Sequence, residues 1–433
     1  MAGGAGSPAG ATSRSITIDG GDGSPGTPRV SLQPSLSSSP SNGSFFSASK
    51  TELRATWSGR AMTVKAGMTP PVGGRALAAG PGLLPGGLLA SPSAPSPAPQ
   101  DVRKTTHEMP DSLLNDGFVI ESFDYAELAD VSVRPVGEGD QAAVHSCVVP
   151  FGKYAGQTMA LKVLRPELAA KEDEVQAFVR EANFLARISH PHVLGMLGCG
   201  TTDERRPCLV IDWVESDVAR ELKLDLVDFD AGARWAVRRD WPSAARVALL
   251  RDLAATLAFL HGGEAIPGTV VLHRDLKPAN LGLTADRRLK LLDFGLAVAL
   301  ERTAAKTAET YELTGGAGTR RYMAPEVWRG EPYGTAADVY GLALVAYEIC
   351  SLYGKPYAAY DPKTMYRKVI ERGKRPKLPL DWHSWLLDLL PQAWAPDQKD
   401  RCGADHAAKV LGAVLGACDD PLGQDPTPCC VLM

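Results

Sequence analysis

Apolar positions are spread unevenly along the chain. From about Asp116 to Cys418 apolar runs alternate with charged ones, whereas the stretch before them is Gly, Ser, Pro and Ala with few large apolar residues. Residues 1–115 are therefore expected to form a disordered tail, because such a composition buries too little surface to offset the entropy of ordering it. Residues 419–433 are expected to be a short flexible end. Between them, Val131 to Val136 is β-rich and runs into Gly137, and Val144 to Val149 predicts a second strand. Phe151 to Gln157, with Gly152 and Gly156, predicts a hairpin turn before a strand from Thr158 to Leu164. Glu172 to Arg187 places Val175, Phe178, Ala182 and Leu185 on one helical face. Cys208 to Val214 predicts a further strand. Beyond Ser216 the spacing turns helical. Val247, Leu250, Leu253, Leu257 and Leu260 mark a helix over Ser243 to Leu260, with Ser243 as its N-cap. Asp338 to Ile349 and Trp382 to Leu390 predict two more helices, and the polar stretch Asp217 to Trp241 receives no element. Strands first and helices after predict an α+β protein of two lobes with a cleft between them.

Charge and cysteine usage narrow the function classes. The net charge is −4, but the first hundred residues hold seven Lys/Arg against three acids, so the remainder is the acidic part. A mildly acidic domain is a poor nucleic-acid binder. The basic, Ser-rich tail has the composition of a transit peptide; a solvated regulatory tail is the preferred reading. Its Ser-Pro and Thr-Pro pairs at Ser7, Ser24, Thr27 and Ser39 are candidate modification sites. Eight scattered cysteines without a C-x-x-C pair argue against a zinc site or a disulfide scaffold and fit a reducing, cytoplasmic compartment. The N-terminus lacks the apolar core of a signal peptide, and Ala2 excludes myristoylation. The longest apolar candidate for a membrane span, Val339 to Leu352, holds Gly341 and Glu348 and reads as a buried helix. Cys430-Val431-Leu432-Met433 fits C-a-a-X with a terminal Met that favours farnesyl. One lipid anchors only marginally, so Cys429 is the candidate second, palmitoylated site for a peripheral membrane attachment.

Several short motifs carry chemistry. Gly137-Glu138-Gly139 lies between two predicted strands, where glycines let the backbone approach phosphates or simply make a tight turn. Lys162 follows on the third strand and Glu181 on the next helix, a cation and a carboxylate able to pair. The most specific signal is His273-Arg274-Asp275-Leu276-Lys277-Pro278-Ala279-Asn280. There a carboxylate able to accept a hydroxyl proton and a carboxamide able to ligate a metal are joined by a tight loop. An apolar strand, Leu289 to Leu292, then delivers Asp293-Phe294-Gly295, a carboxylate placed to bind a Mg²⁺ that bridges phosphates.

In this order the motifs resemble the eukaryotic protein kinase family, whose signature set is well known. The resemblance covers roughly residues 118–418 and implies a bilobal protein kinase fold. It has a small antiparallel β-rich N-lobe with one helix at about 116–211, a hinge at 212–215 and a larger, mostly helical C-lobe at about 216–418. It implies ATP and Mg²⁺ as cofactors. Val136, Gly137, Gly139, Val144 and Ala160 would cover the nucleotide, Lys162 would pair its α/β-phosphates with Glu181, and Ile211 would be the gatekeeper. Asp212 and Val214 would supply hinge backbone groups to adenine. Asp275, assisted by Lys277, would receive the substrate proton, and Asn280 and Asp293 would hold Mg²⁺. Ala324-Pro325-Glu326 would close the activation segment, Asp338 would brace the catalytic loop and Arg401 would pair with Glu326. Lys277 and Thr319 resemble the serine/threonine type, and Gly-Thr-x-x-Tyr-Met-Ala-Pro-Glu resembles the tyrosine-kinase-like group. The implied partners are protein substrates and an upstream kinase acting on Thr307, Thr310 or Thr314, whose phosphate would pair with Arg274. A pseudokinase scaffold, a dual-specificity kinase and a small-molecule kinase are the alternative readings. Three departures stand out: Ala142 replaces the third glycine, Gln141 replaces the aromatic loop tip, and Cys402 replaces the proline after Arg401. The first two are expected to loosen or reshape the phosphate loop, and the third to act only locally.

Overall fold

A computed structural model of the chain describes residues 14–19, 29–34, 119–139, 141–150, 152–224, 231–302, 310–379 and 382–423. Its first lobe is one twisted sheet. The strands are β1 (Arg14–Asp19), β2 (Arg29–Pro34), β3 (Val119–Ser122), β4 (Gly137–Glu138), β5 (Ala142–Val149), β6 (Gln157–Leu164), β7 (Met196–Thr201) and β8 (Pro207–Ile211). Their order is β2-β1-β3-β7-β8-β6-β5-β4, antiparallel throughout except for the single parallel pair Ser122↔Cys199 between β3 and β7. Two segments of the expected tail thus enter the sheet. Ile16 and Ile18, and Val30 and Leu32, alternate with polar residues as strands require, and β1 pairs with β2 and with β3. The rest of the expected disordered tail lies outside the described residues.

Val131 to Val136 is not a strand. Pro135 has no N–H for a ladder, and Val133 is 97% exposed. The backbone only follows β5 loosely, through Ser132 N–H to the Ser146 carbonyl and Val136 N–H to the Val144 carbonyl. The expected strand over Cys208 to Val214 stops at Ile211, because Asp212 turns out of the sheet and its N–H bonds the Gly195 carbonyl. The first helix, α1 (Glu172–Arg187), keeps the predicted bounds. Val175, Phe178, Ala182 and Leu185 are all buried, and Glu172, Asp173 and Glu174 in the first turn suit the positive end of the helix dipole.

The second lobe begins with a short strand β9 (Ser216–Asp217), α2 (Val218–Glu221) and α3 (Ala231–Asp240), which lie in the described parts of the unassigned polar stretch. Helix α3 buries only Val237 and so shows no apolar stripe. The central α4 (Ser243–Gly262) ends on Gly263, whose φ of +86° suits a glycine cap. Its expected N-cap differs: the Ser243 hydroxyl bonds Asp420, and Pro242 occupies the cap position. Strands β10 (Thr269–Leu272) and β13 (Val298–Glu301) pair as one small sheet, and β11 (Leu281–Leu283) lies between β12 (Leu289–Leu291) and β9 in another. The helices α5 (Pro325–Arg329), α6 (Ala336–Ser351), α7 (Pro362–Met365), α8 (Ser384–Ala393) and α9 (Ala404–Ala417) complete the lobe. Helix α6 is buried on nearly every side, which explains its continuous apolar sequence. Among the described residues no helix is long and apolar enough to cross a membrane.

One apolar cluster runs from the underside of the sheet (Leu164, Phe178, Ile211) through Leu272 and Phe294 into α4 and α6. A smaller cluster, with Val149, Leu161 and Val210, covers the sheet's other face. The cleft between the lobes is bounded by β4–β6 above and by the loops around β10–β12 below.

Candidate active site

The strand ladder fixes the upper wall of the cleft. Lys162 is paired across the sheet with Val144 on one side and Leu209 on the other. Its Nζ lies 2.7 Å from Glu181 Oε1 and 2.5 Å from Oε2, and only 2% of the Glu181 side chain is exposed. Burial alone would lower the ammonium pKa, but Glu181, with Asp293 beyond it, outweighs that and holds it above the ordinary lysine value. Burial pushes the Glu181 carboxyl the other way, toward its neutral form. With both carboxylate oxygens in contact with Nζ, the ion pair is the resting state.

The phosphate loop is tied down. The Gly139 N–H bonds the Ala142 carbonyl, Arg165 Nε donates to the Gly139 carbonyl, and Gln141 Nε2 donates to Glu174 Oε2 on α1 at 2.9 Å. The departures at Gln141 and Ala142 therefore reshape the loop without loosening it. Ala142 is 3% exposed and paired with Leu164, so it is a core strand position with no need of glycine. Val136 is 52% exposed, Val144 half-buried and Ala160 buried opposite its strand partner Ile211.

The hinge has a lock of its own. Asp212 Oδ2 accepts the Gly195 N–H at 2.8 Å and the Lys290 ammonium at 2.9 Å. Gly195 is required for this approach, since a Cβ there would stand 2.7 Å from that oxygen. The Asp212 carbonyl and the Val214 N–H have no hydrogen-bond partner among the described residues. That leaves an acceptor and a donor two residues apart at the back of the cleft.

The lower wall is built around Asp275. Strand β10 ends in the fully buried His273, and Asp338 on α6 accepts the next two backbone N–H groups, His273 at Oδ2 and Arg274 at Oδ1, each at 2.9 Å. These bonds hold Arg274 at φ +66°, a left-handed conformation unfavourable for a side chain with a Cβ. His261, at the end of α4, adds a third contact to Asp338 at 2.9 Å. Asp275 Oδ1 then accepts the Thr319 N–H at 2.7 Å, and Oδ2 receives Lys277 Nζ at 2.7 Å and Asn280 Nδ2 at 3.2 Å. Burial would raise the Asp275 pKa, but Lys277 and Thr319 outweigh it and keep the carboxyl below its usual range. Such a group stays ionised at neutral pH.

Asp293 sits at φ +63° after β12, with Oδ1 accepting the Gly295 N–H. Phe294 is fully buried between Phe184 and His273, ring centroids 6.2 and 5.0 Å away, which keeps the Asp293 turn packed inward. Asn280 Oδ1 and Asp293 Oδ2 have no hydrogen-bond partner among the described residues. At the far edge Arg401 grips Glu326 with two nitrogens, at 2.5 and 2.8 Å, and the pair is buried. Cys402 beside it is half-buried and leaves that grip intact. Arg274 meets Thr314 Oγ1 and the Tyr333 hydroxyl, both at 3.3 Å. Thr307, Cys429 and Cys430 lie outside the described residues.

Sequence reasoning missed His261, Lys290, Gln141's partner Glu174 and the Arg165 bond to the loop. Lys290 carried a usable signal, a charge inside the apolar strand Leu289–Leu291; the others depend on contacts distant in sequence.

Comparison with known proteins agrees with this geometry. A family model described as protein tyrosine and serine/threonine kinase matches residues 131–411. The chain is similar to serine/threonine-protein kinase STY17 of Arabidopsis thaliana, 32% identical over 265 residues that make up 61% of this chain and 42% of that protein. It is similar to dual specificity protein kinase shkD of Dictyostelium discoideum, 27% identical over 65% of this chain and 34% of that protein. It also resembles serine/threonine/tyrosine-protein kinase HT1 of Arabidopsis thaliana, 25% identical over 65% of this chain and 67% of that protein. The chain thus spans less than half the length of STY17 and shkD.

Proposed function

Because the chain belongs to the protein tyrosine and serine/threonine kinase family, we propose that it transfers the γ-phosphoryl group of ATP to serine and threonine hydroxyls of protein substrates. The observation that carries this reading is the Asp275 carboxylate, held by Lys277 and Thr319 across the cleft from the Lys162–Glu181 pair. Lys277 and Thr319 are themselves in contact at 3.3 Å, which supports the serine/threonine class over a strict tyrosine kinase. All the charged groups such a reaction needs are present, which weighs against a scaffold without chemistry.

The donor groups fit the cofactors. The partner-free Asp212 carbonyl and Val214 N–H suit the hydrogen-bonding edge of a purine. Asn280 Oδ1 and Asp293 Oδ2 are hard oxygen ligands of the kind Mg²⁺ takes. Among the described residues no cluster of three His, Cys, Asp or Glu could hold a metal alone, so phosphate oxygens would complete the shell. Asn280 and Asp293 would hold Mg²⁺, which would supply neutralisation of phosphate charge. Lys162 holds the phosphates in register, and Asp275 aligns the attacking hydroxyl. Most of the catalysis is therefore positioning and electrostatics.

Radiolabel transfer from Mg-ATP to a degenerate peptide library tests the reading and reports the preferred hydroxyl. Lys162→Met or Asp275→Asn should lower turnover by about two to three orders of magnitude. Wild-type transfer in both variants would refute the assignment.

Two regulatory features belong to this reading. A phosphate placed by an upstream kinase on Thr307, Thr310 or Thr314 would pair with Arg274 and order the activation segment; mass spectrometry of active protein with all three unmodified would exclude it. Prenylation of Cys430, with acylation of Cys429, would hold an otherwise cytoplasmic enzyme partly at membranes. Identical fractionation of wild type and Cys430→Ser would exclude that anchor.

A further inference from the structure

The segment from Leu313 to Arg329, which lies against Asp275, contains Arg320, Arg321 and Arg329 and one acid, Glu326. Glu326 is 3% exposed and held by Arg401, so it offers no negative charge to the surface. Arg321 donates to the Pro356 carbonyl, and Arg329 donates to the Ile370 carbonyl and lies 3.5 Å from Glu331. Arg320 is different. It is exposed, and no carboxylate lies within ion-pair distance of it among the described residues. Its guanidinium carbon stands 5.8 Å from the centre of the Trp328 ring, and the Trp328 indole N–H bonds the Arg320 carbonyl at 3.1 Å. The indole supports the planar fork and restricts its rotamers, leaving the N–H edge for an outside acceptor.

Its place is set by its neighbour. The Thr319 N–H touches Asp275 at 2.7 Å, and Arg320 is the next residue. Consecutive Cα atoms are about 3.8 Å apart. With the added reach of an arginine, the fork falls within roughly three residues of an extended peptide whose hydroxyl rests on Asp275.

We infer that the protein reads an anionic side chain, carboxylate or phosphate, within three residues of the hydroxyl it phosphorylates, and that Arg320 is the reader. The inference rests on the protein kinase reading above and names the substrate class for the same site. A planar guanidinium takes either anion bidentately, and an aspartate or a phosphoserine on the peptide supplies the same chemistry. The contact forms in the bound ground state and persists to the transition state, so it acts mainly through KM. An exposed pair of this kind is worth about a three- to tenfold change in kcat/KM.

The test uses the full chain with Mg-ATP and four peptides that share one acceptor serine. Their flanking positions carry alanine, aspartate, phosphoserine or arginine. In the wild type, aspartate should exceed alanine by about three- to tenfold and arginine should fall below it. A phosphoserine advantage well beyond aspartate would mark substrates already phosphorylated by another kinase; equal values would mark acidic ones. Arg320→Ala should level the series through KM, Arg320→Glu should invert it, and Arg320→Lys should keep the aspartate preference. Unchanged KM for ATP in each variant verifies the fold. Equal rates on all four wild-type reactions, or an acidic preference that survives Arg320→Glu, would overturn the inference and leave the kinase reading standing. Absence of transfer to any peptide, with no self-phosphorylation, would overturn both.

Discussion

Replacing Asp338 with asparagine is the most discriminating perturbation of the catalytic platform. The carboxylate accepts from the His273 N–H, the Arg274 N–H and His261, and it is 3% exposed. Asparagine keeps one acceptor oxygen and turns an NH₂ toward groups that were being accepted. At least one buried backbone N–H loses its partner, at about 1–3 kcal/mol, and the remaining bonds lose their charge-assisted share. A total near 3 kcal/mol corresponds to a Tm lower by roughly 5 °C in a domain of this size. The left-handed backbone at Arg274, φ +66°, also loses its restraint, and Asp275 follows it in the chain. A displacement of about 1 Å there should lower kcat by about a hundredfold. KM for ATP should hold, because Lys162 and Glu181 stand on β6 and α1. The pH dependence has a definite sign. Burial would raise the Asp338 pKa, but His261 and the loop N–H groups outweigh it, so the folded value lies below the ordinary carboxyl value near 4. Its contribution is therefore complete above about pH 5 and fades as the pH falls through the folded value. Thermal melts of wild type and Asp338→Asn between pH 3 and 8, paired with initial rates at pH 7.5, measure all of this. A variant within about 2 °C of wild type at neutral pH, with unchanged kcat, would refute the bracing role.

Gly318 and the Glu326–Arg401 pair give two further expectations. Gly318 has φ +101°, and a Cβ there would run into the Arg274 carbonyl. Gly318→Ala should therefore displace Thr319 from Asp275 and raise the peptide KM while lowering kcat in the same steady-state assay; wild-type values in both would contradict it. Glu326→Ala leaves a fully buried guanidinium unpaired and should cost about 3–5 kcal/mol in a denaturant or thermal melt. The double variant Glu326→Ala/Arg401→Met should recover part of that loss; a double variant no more stable than the single one would show that the charge was not the cause.

Helix α1 was legible to its last residue because its apolar stripe and acidic first turn are local properties of sixteen consecutive residues. The catalytic loop was legible for a similar reason: Asp275, Lys277 and Asn280 lie within six residues and meet through a tight turn. Elements decided by distant partners were read less well. The end of β8 depends on Gly195 and Lys290, so apolar character carried the expected strand on to Val214. Strand β1, which carries β2 at the sheet edge, pairs on its other side with β3, about a hundred residues away. Helix α3 lacks an apolar face, and Val131 to Val136 has a β-rich composition interrupted by Pro135. The reach of Gln141 to Glu174 follows from how α1 lies on the sheet, which no local pattern encodes.

The hinge lock has a consequence for inheritance. Gly195, Asp212 and Lys290 come from three separate segments, yet each is intelligible only through the other two: the glycine makes room for the carboxylate, and the carboxylate gives the lysine a counter-charge. A lineage that acquires a side chain at 195 must expel the carboxylate at 212, and the ammonium at 290 then stands half-buried with no anion beside it. The three positions should therefore drift as a set, and a descendant that has lost one should have changed the others as well. An alignment deep enough to follow substitutions through branching order would display that linkage as correlated change among positions up to 95 residues apart in the chain.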